Sequence, residues 1–197
     1  MGQGKQAKVL TETQINKVLN NLGKRTRYAT RDKAMFLLSV KAGMRAKEIA
    51  GLRWGMVTDA AGDLADAIAL PNRASKGKGG GRTIPMNRDL RAALAELAAA
   101  VDDRQADDPV IASERGGPLN ASAVTMWFWR VYSGLGFKGA SSHSGRRTFI
   151  TRAAKKVVEA GGSLRDVQQL AGHSSLQTTQ RYIEGDSEAK RKLVDLI

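Results

Sequence analysis

Apolar residues recur at helical spacing along most of the chain. Ile15, Val18, Leu19 and Leu22 follow the three-and-four rhythm of an amphipathic helix. Thr11-Glu12-Thr13-Gln14 ahead of them supplies the hydroxyl and amide of a capping box, and Gly23 supplies a stop. A second helix is predicted from near Thr30 through Met35, Leu37 and Leu38 to Gly43, and a short third one carries Glu48 and Ile49 and ends at Gly51. The rhythm changes between Val57 and Met86. Gly62-Asp63 is a turn signal, and Ala67-Ile68-Ala69-Leu70 and Thr83-Ile84-Pro85 are short strand candidates. Ser75-Lys76-Gly77-Lys78-Gly79-Gly80-Gly81-Arg82 between them forms a basic hairpin tip, so a small antiparallel sheet is expected here. Pro85, which has no N–H to donate, suits a strand end or edge.

Helical patterning resumes at Asn87, where Leu90, Leu94, Leu97 and Val101 make an apolar stripe in an Ala-rich helix. Asp102 to Pro109 is an acidic loop. Asn120 or Ser122 caps a helix carrying Val124, Trp127, Phe128 and Val131. Further helices are expected over 144–160, 163–171 and 175–183. A charged last helix, about 187–197, ends on Leu193, Val194, Leu196 and Ile197. Trp54, Trp127 and Trp129 are assigned to the core rather than to base stacking. The fold class is therefore α+β: mainly α with a small antiparallel β-sheet. Residues 1–9 form a basic tail and 10–197 one domain, with no internal repeat and no linker long enough to force a second.

Composition narrows the function. Across 197 residues, 32 Lys and Arg stand against 19 Asp and Glu, a formal charge of +13. An excess of that size points to a polyanionic partner, most commonly nucleic acid. With 42% hydrophobic residues, a packed core is expected. There is no cysteine, which excludes disulfides, thiolate catalysis and cysteine-based zinc sites. The two histidines, His143 and His173, lie far apart in sequence and make no metal-binding spacing, so neither metal nor cofactor is expected. The glycine run 77–81 lacks Gly-x-x-x-x-Gly-Lys-Ser/Thr, which argues against a nucleotide-phosphate loop. Met1 to Val9 holds no apolar stretch of signal-peptide type, and no run of about 18 apolar residues exists, so the expected location is cytoplasmic, with no membrane partner.

The candidate chemistry is an ordered set. His143-Ser144-Gly145-Arg146 places a histidine and an arginine at a helix start, where outward amide N–H groups and a guanidinium suit a phosphate. Leu170-Ala171-Gly172-His173 follows, and then Thr178-Thr179-Gln180-Arg181-Tyr182. Ala42-Gly43-Met44-Arg45-Ala46-Lys47-Glu48-Ile49, continued by Gly51-Leu52-Arg53-Trp54, lies in the N-terminal half. Each piece alone is a weak signal, but in this order the set resembles the tyrosine recombinase (phage integrase) family over roughly residues 10–185. The hairpin Ser75-Lys76-Gly77-Lys78, with Arg82-Thr83-Ile84-Pro85 as its return strand, is similar to that family's lysine hairpin. The glycine run leaves two registers, with Lys76 taken first and Lys78 as the alternative.

The resemblance implies the family's catalytic-domain fold and an enzyme that cleaves and rejoins duplex DNA through a 3′-phosphotyrosine, without metal or ATP. It implies six catalytic positions. Arg45 and Arg146 clamp the non-bridging oxygens as charge develops, and His173 adds a hydrogen bond. Tyr182 is the nucleophile, His143 the candidate base that takes its proton, and Lys76 the general acid for the departing 5′-oxygen. It also implies double-stranded DNA as substrate, a homo-oligomer on DNA (a tetramer, since recombination needs four cuts), accessory DNA-bending proteins, and a bacterial, phage or mobile-element origin. Lys and Arg in 24–33, 73–82 and 146–156 are candidates for the DNA-facing surface, and the final helix either docks on a neighbouring protomer or packs on its own domain. The motifs start close to Met1, so the expected likeness is to short members without the N-terminal core-binding domain, with a piece of a longer member as the alternative. Two rival readings share the fold or the chemistry: a DNA-binding regulator that no longer recombines, and a nicking-closing enzyme of the type IB topoisomerase kind. A generic basic interaction domain is a third, non-enzymatic reading, against which the ordered motif set argues.

Overall fold

The structure, a computed structural model, describes residues 6–24, 27–72, 81–182 and 194–195. Its order is α1 (Glu12–Gly23), α2 (Ala29–Ala42), α3 (Ala46–Ala50), a 3-10 turn (Trp54–Met56), β1 (Ala67–Leu70), β2 (Arg82–Pro85), α4 (Arg88–Ala99), α5 (Ala121–Gly134), α6 (Ser144–Lys156), α7 (Leu164–Ala171) and α8 (Leu176–Gln180). The architecture is mainly helical with a two-stranded antiparallel sheet, as the patterning predicts. The capping box is present: Gln14 N–H donates to Thr11 Oγ1 at 3.2 Å and Thr11 N–H to Gln14 Oε1 at 3.0 Å. Asn120, rather than Ser122, caps α5 by accepting the Ala123 N–H at 2.8 Å.

Helix α2 is the centre of the core. Met35, Phe36, Leu37, Leu38 and Val40 are all buried, because α1, α4 and α6 cover it on several sides. The sheet adds Ile68 and Ile84, paired across the strands and both buried, with Pro85 at the end of β2 opposite Ala67. A smaller apolar cluster of Ile150, Val167 and Ala171 joins α6 to α7, and Phe149, Val157, Leu164 and Tyr182 pack on it.

Three expectations are corrected. Trp54 is buried and Trp127 packs partly buried against the core, but Trp129 is 58% exposed. Val124, Phe128 and Val131 occupy the inward face of α5, and residue 129 is rotated about 100° from Phe128. Helix α6 stops at Lys156, not 160, where the chain turns through Gly161 at φ +73° and Gly162 donates to Val157 O at 2.8 Å. Among the described residues, the segment expected as helix over 175–183 is helical over Leu176–Gln180, and Tyr182 lies in the turn after it. The tail residues 1–5, the hairpin tip 73–80 with Lys76 and Lys78, and most of the expected helix 187–197 lie outside the described residues. Val194, which is described, is 70% exposed. Among the described residues no helix is long and apolar enough to cross a membrane.

Candidate active site

Arg45 sits in extended backbone immediately before α3. Glu48, in the first turn, reaches back to accept the Arg45 N–H at 2.8 Å and its Nη1 at 2.8 Å, so one carboxylate holds both backbone and side chain. The same carboxylate receives both terminal nitrogens of Arg82 from β2, Nη1 on Oε1 and Nη2 on Oε2, each at 2.9 Å. Glu48 and Arg82 are buried, at 1% and 5% side-chain exposure. Burial would raise the Glu48 carboxyl, but the hydrogen bonds and charge of Arg82, with the N–H and charge of Arg45, outweigh it and hold the pKa at about 2.

The C-terminal end of α7 organises the arginines. Helix ends leave carbonyls without backbone partners, and their partial negative charge attracts cations. Gly172 closes α7 in the left-handed region, at φ +61°, and its N–H and that of His173 satisfy the Gln169 and Gln168 carbonyls. The next three carbonyls each accept from a different arginine. Leu170 O takes Arg82 Nε at 2.9 Å, Ala171 O takes Arg146 Nη2 at 2.7 Å, and Gly172 O lies 3.5 Å from Arg45 Nη2. A Cβ at position 172 would meet Arg82 Nη1 at 2.8 Å, so glycine serves both the turn and the close approach. Arg146 Nη1 bonds Gly43 O at 2.6 Å, at the left-handed cap of α2 where φ is +63°. Burial foremost, with the charge of Arg45, lowers the Arg146 guanidinium to about 10, which leaves it protonated at neutral pH.

His173 follows directly. Its Nδ1 lies 2.9 Å from Thr179 Oγ1, whose side chain is fully buried. Burial first, then the charges of Arg146, Arg45 and Arg82, hold its pKa at about 4, so the ring is neutral at neutral pH and acts through one N–H and one lone pair. The Tyr182 ring stacks on His173 at 5.6 Å between centroids, with the Arg147 guanidinium carbon 5.8 Å from its own centroid. His143 is exposed and precedes α6 without a side-chain cap bond. His143, Arg146, Arg147, Thr178, Arg181 and Tyr182 line a cavity of about 260 Å³. A larger cavity, about 580 Å³, lies between the hairpin, the 54–56 turn and Ala106-Asp107, and none of the five described candidate residues lines it.

Arg45, Arg146, His173 and Tyr182 are thus linked through the end of α7, and His143 joins them at the cavity. Arg82, Arg147 and Thr179 belong to the same neighbourhood without having been catalytic candidates, although Arg82 and Arg147 were candidates for the DNA-facing surface. Their only sequence signal was position: Arg82 at the start of the return strand, Arg147 beside Arg146, Thr179 in the quoted tyrosine motif. Among the basic residues proposed for a DNA-facing surface, Arg31 pairs with Asp32, Lys33 with Glu96 and Arg152 with Glu12. Among the described residues no group of three His, Cys, Asp or Glu could hold a metal ion.

The sequence profile of the phage integrase family matches residues 8–188. The chain is 33% identical over 166 residues to the tyrosine recombinase XerC of Xylella fastidiosa (strain 9a5c), covering 84% of this chain and 52% of that protein. It is 30% identical over 169 residues to XerC of Brucella suis biovar 1 (strain 1330), covering 85% and 50%. The chain therefore spans about half the length of these relatives. Among solved structures, XerH site-specific recombinase bound to a palindromic difH substrate superposes with a TM-score of 0.74 at 20% identity, covering 98% of this chain and 53% of that one. The Tn1549 transposon integrase in complex with circular intermediate DNA superposes at 0.71 with 22% identity, covering 100% and 68%.

Proposed function

Because the chain belongs to the phage integrase family, we propose that it carries the catalytic domain of a site-specific recombinase that cleaves and rejoins duplex DNA through Tyr182. The observation that carries this reading is the convergence of two buried or half-buried arginines, a neutral histidine and a tyrosine on one helix end. A phosphodiester is anionic, and charge on its non-bridging oxygens grows as a fifth oxygen approaches phosphorus. Preorganised guanidiniums stabilise that charge without reorganising. Arg45 and Arg146 take this role with the donors their protein bonds leave over, and neutral His173 adds an N–H donor rather than a third cation.

In the proposed reaction Tyr182 Oη bonds to the scissile phosphorus and the P–O5′ bond breaks. The phenolic proton passes to His143, and the departing 5′-oxygen takes one from Lys76, with Lys78 as the alternative donor. The product is a 3′-phosphotyrosine and a free 5′-hydroxyl. Attack by a second 5′-hydroxyl reverses these steps and releases the tyrosine. Ester energy is conserved throughout. The proposed substrate is double-stranded DNA in a bacterial cytoplasm, consistent with bacterial XerC relatives and with the transposon integrase among the structural neighbours. A tetramer on DNA would supply the four cuts of a full exchange, with accessory DNA-bending proteins as further partners.

The test is covalent trapping. The protein is incubated with a pool of duplexes carrying nicked suicide sites, in chelator, and run on a denaturing gel beside Tyr182→Phe. A slow-migrating adduct in the wild type, absent from Tyr182→Phe, is the expected result. Salt-sensitive binding with no adduct from any duplex would overturn the reading in favour of a regulator. Adduct and nick resealing with no strand exchange would favour the nicking-closing enzyme.

A further inference from the structure

Arg82 is the one buried arginine at the site that the proposed reaction leaves without a part. Its guanidinium is committed on both edges: Nη1 and Nη2 grip the two oxygens of Glu48, and Nε donates to Leu170 O, all at 2.9 Å. With Nε, Nη1 and Nη2 all bonded within the protein and its side chain 5% exposed, it has no nitrogen left uncommitted for a phosphate, which separates it from Arg45, bonded through Nη1 and Nη2 and 26% exposed. What it touches is the machinery itself. Glu48 is the group that orients Arg45, through backbone N–H and Nη1. Leu170 begins the run of carbonyls whose next two members meet Arg146 and Arg45 and whose following residue is His173. One side chain on β2 therefore ties α3 to the end of α7. An ammonium could offer charge there but not a flat fork and a third donor on another edge of the same plane at once.

Resting on the recombinase reading, we propose that Arg82 is a positioning residue for strand cleavage: by clamping Glu48 to the C-terminal end of α7 it sets where the Arg45 guanidinium stands relative to Arg146 and His173. Misplacing a charge-stabilising donor by about an ångström costs on the order of a hundredfold in rate, because preorganisation is what the donor contributes. That loss should depend on the substrate's charge. A methylphosphonate at the scissile position is neutral and keeps only one non-bridging oxygen, so its transition state carries one negative charge fewer and loses less when a guanidinium is displaced, whereas a general loosening of the fold slows both substrates alike.

The experiment compares wild type, Arg82→Lys, Arg45→Lys and the double variant in single-turnover cleavage of nicked suicide duplexes with either an ordinary phosphodiester or a methylphosphonate. The proposal expects Arg82→Lys to slow the phosphodiester by about 10–100-fold and the methylphosphonate by less than about 3-fold. It also expects the double variant to be no slower than Arg45→Lys alone, since both changes act through one guanidinium. Equal loss on both substrates, full multiplication of the two effects, or no loss at all would each overturn it. The Nη signals of Arg45 are read alongside by NMR. Restricted rotation in the wild type and free rotation in Arg82→Lys is expected, and restricted rotation in both overturns the proposal. If the wild type forms no adduct with any duplex, it is the cleavage reading that has failed, and these signals alone then decide whether Arg82 positions Arg45.

Discussion

Replacing Glu48 with glutamine isolates the ionic part of the site while keeping its volume. In the native protein four donors converge on the carboxylate: two from the Arg82 fork, Nη1 of Arg45 and the Arg45 N–H. Glutamine offers one carbonyl oxygen and turns its own N–H₂ toward an arginine. Arg82, at 5% exposure, is then left charged and without a counter-charge. Breaking a buried pair in this way costs about 3–5 kcal/mol. Linkage gives an independent figure. A carboxyl whose pKa falls from 4.5 to about 2 on folding contributes about 3 kcal/mol at neutral pH. Because the folded value is the depressed one, that stability is present in full above about pH 4.5 and is lost as the pH falls towards 2. Urea unfolding of wild type and Glu48→Gln, followed by circular dichroism from neutral to acid pH, should therefore show a gap of about 3 kcal/mol that has shrunk by about 1.4 kcal/mol near pH ~3.5. The general acid destabilisation of a chain with a +13 charge falls on both proteins and cancels in the difference. A gap under about 1 kcal/mol at neutral pH, or one that does not narrow on acidification, would refute the view that a buried carboxylate holds the two arginines.

Gly172→Ala places a Cβ in a left-handed turn and against Arg82 Nη1, so unfolding should show a loss of at least about 1–2 kcal/mol; unchanged stability would mean the close approach is not real. His173 should titrate near pH 4 by NMR, and stability relative to His173→Gln should fall between pH 6.5 and about 4, where the unfolded chain binds the proton first. A folded-state midpoint at or above 6.5 would contradict the burial and arginine charges assigned to it. Binding to random-sequence duplex DNA should weaken linearly in log–log salt plots, with a slope that counts the neutralised phosphates; a salt-independent affinity would leave the +13 charge without the role given to it.

Much of the site was legible because its chemistry is written in residue type and order. The His143, Arg146, His173 and Tyr182 motifs can be read directly, and Glu48 stood out three residues after Arg45. Arg82 could be read only as part of a return strand. Nothing local distinguishes an arginine that grips a buried carboxylate from one that faces DNA, and nothing local shows that Arg146, expected at the phosphate, would be only 4% exposed. Trp129 failed for a related reason: its face of α5 is decided by which neighbours cover the helix, and Val124, Phe128 and Val131 were the ones covered.

What the sequence determined by itself were the features whose energies are local. The capping box at Thr11, the stripe Ile15, Val18 and Leu22, and the paired strands carrying Ile68 and Ile84 depend on residues within a few positions of one another or on alternation along a short segment. The tertiary structure alone decided that positions 45, 82 and 146 deliver their guanidiniums to three consecutive carbonyls at 170–172. A long charged side chain has many acceptors within reach of its rotamers. Which one it keeps is set by how α3, β2, α6 and α7 pack, since burial removes water as the competing partner and leaves only the acceptors that the fold has brought near.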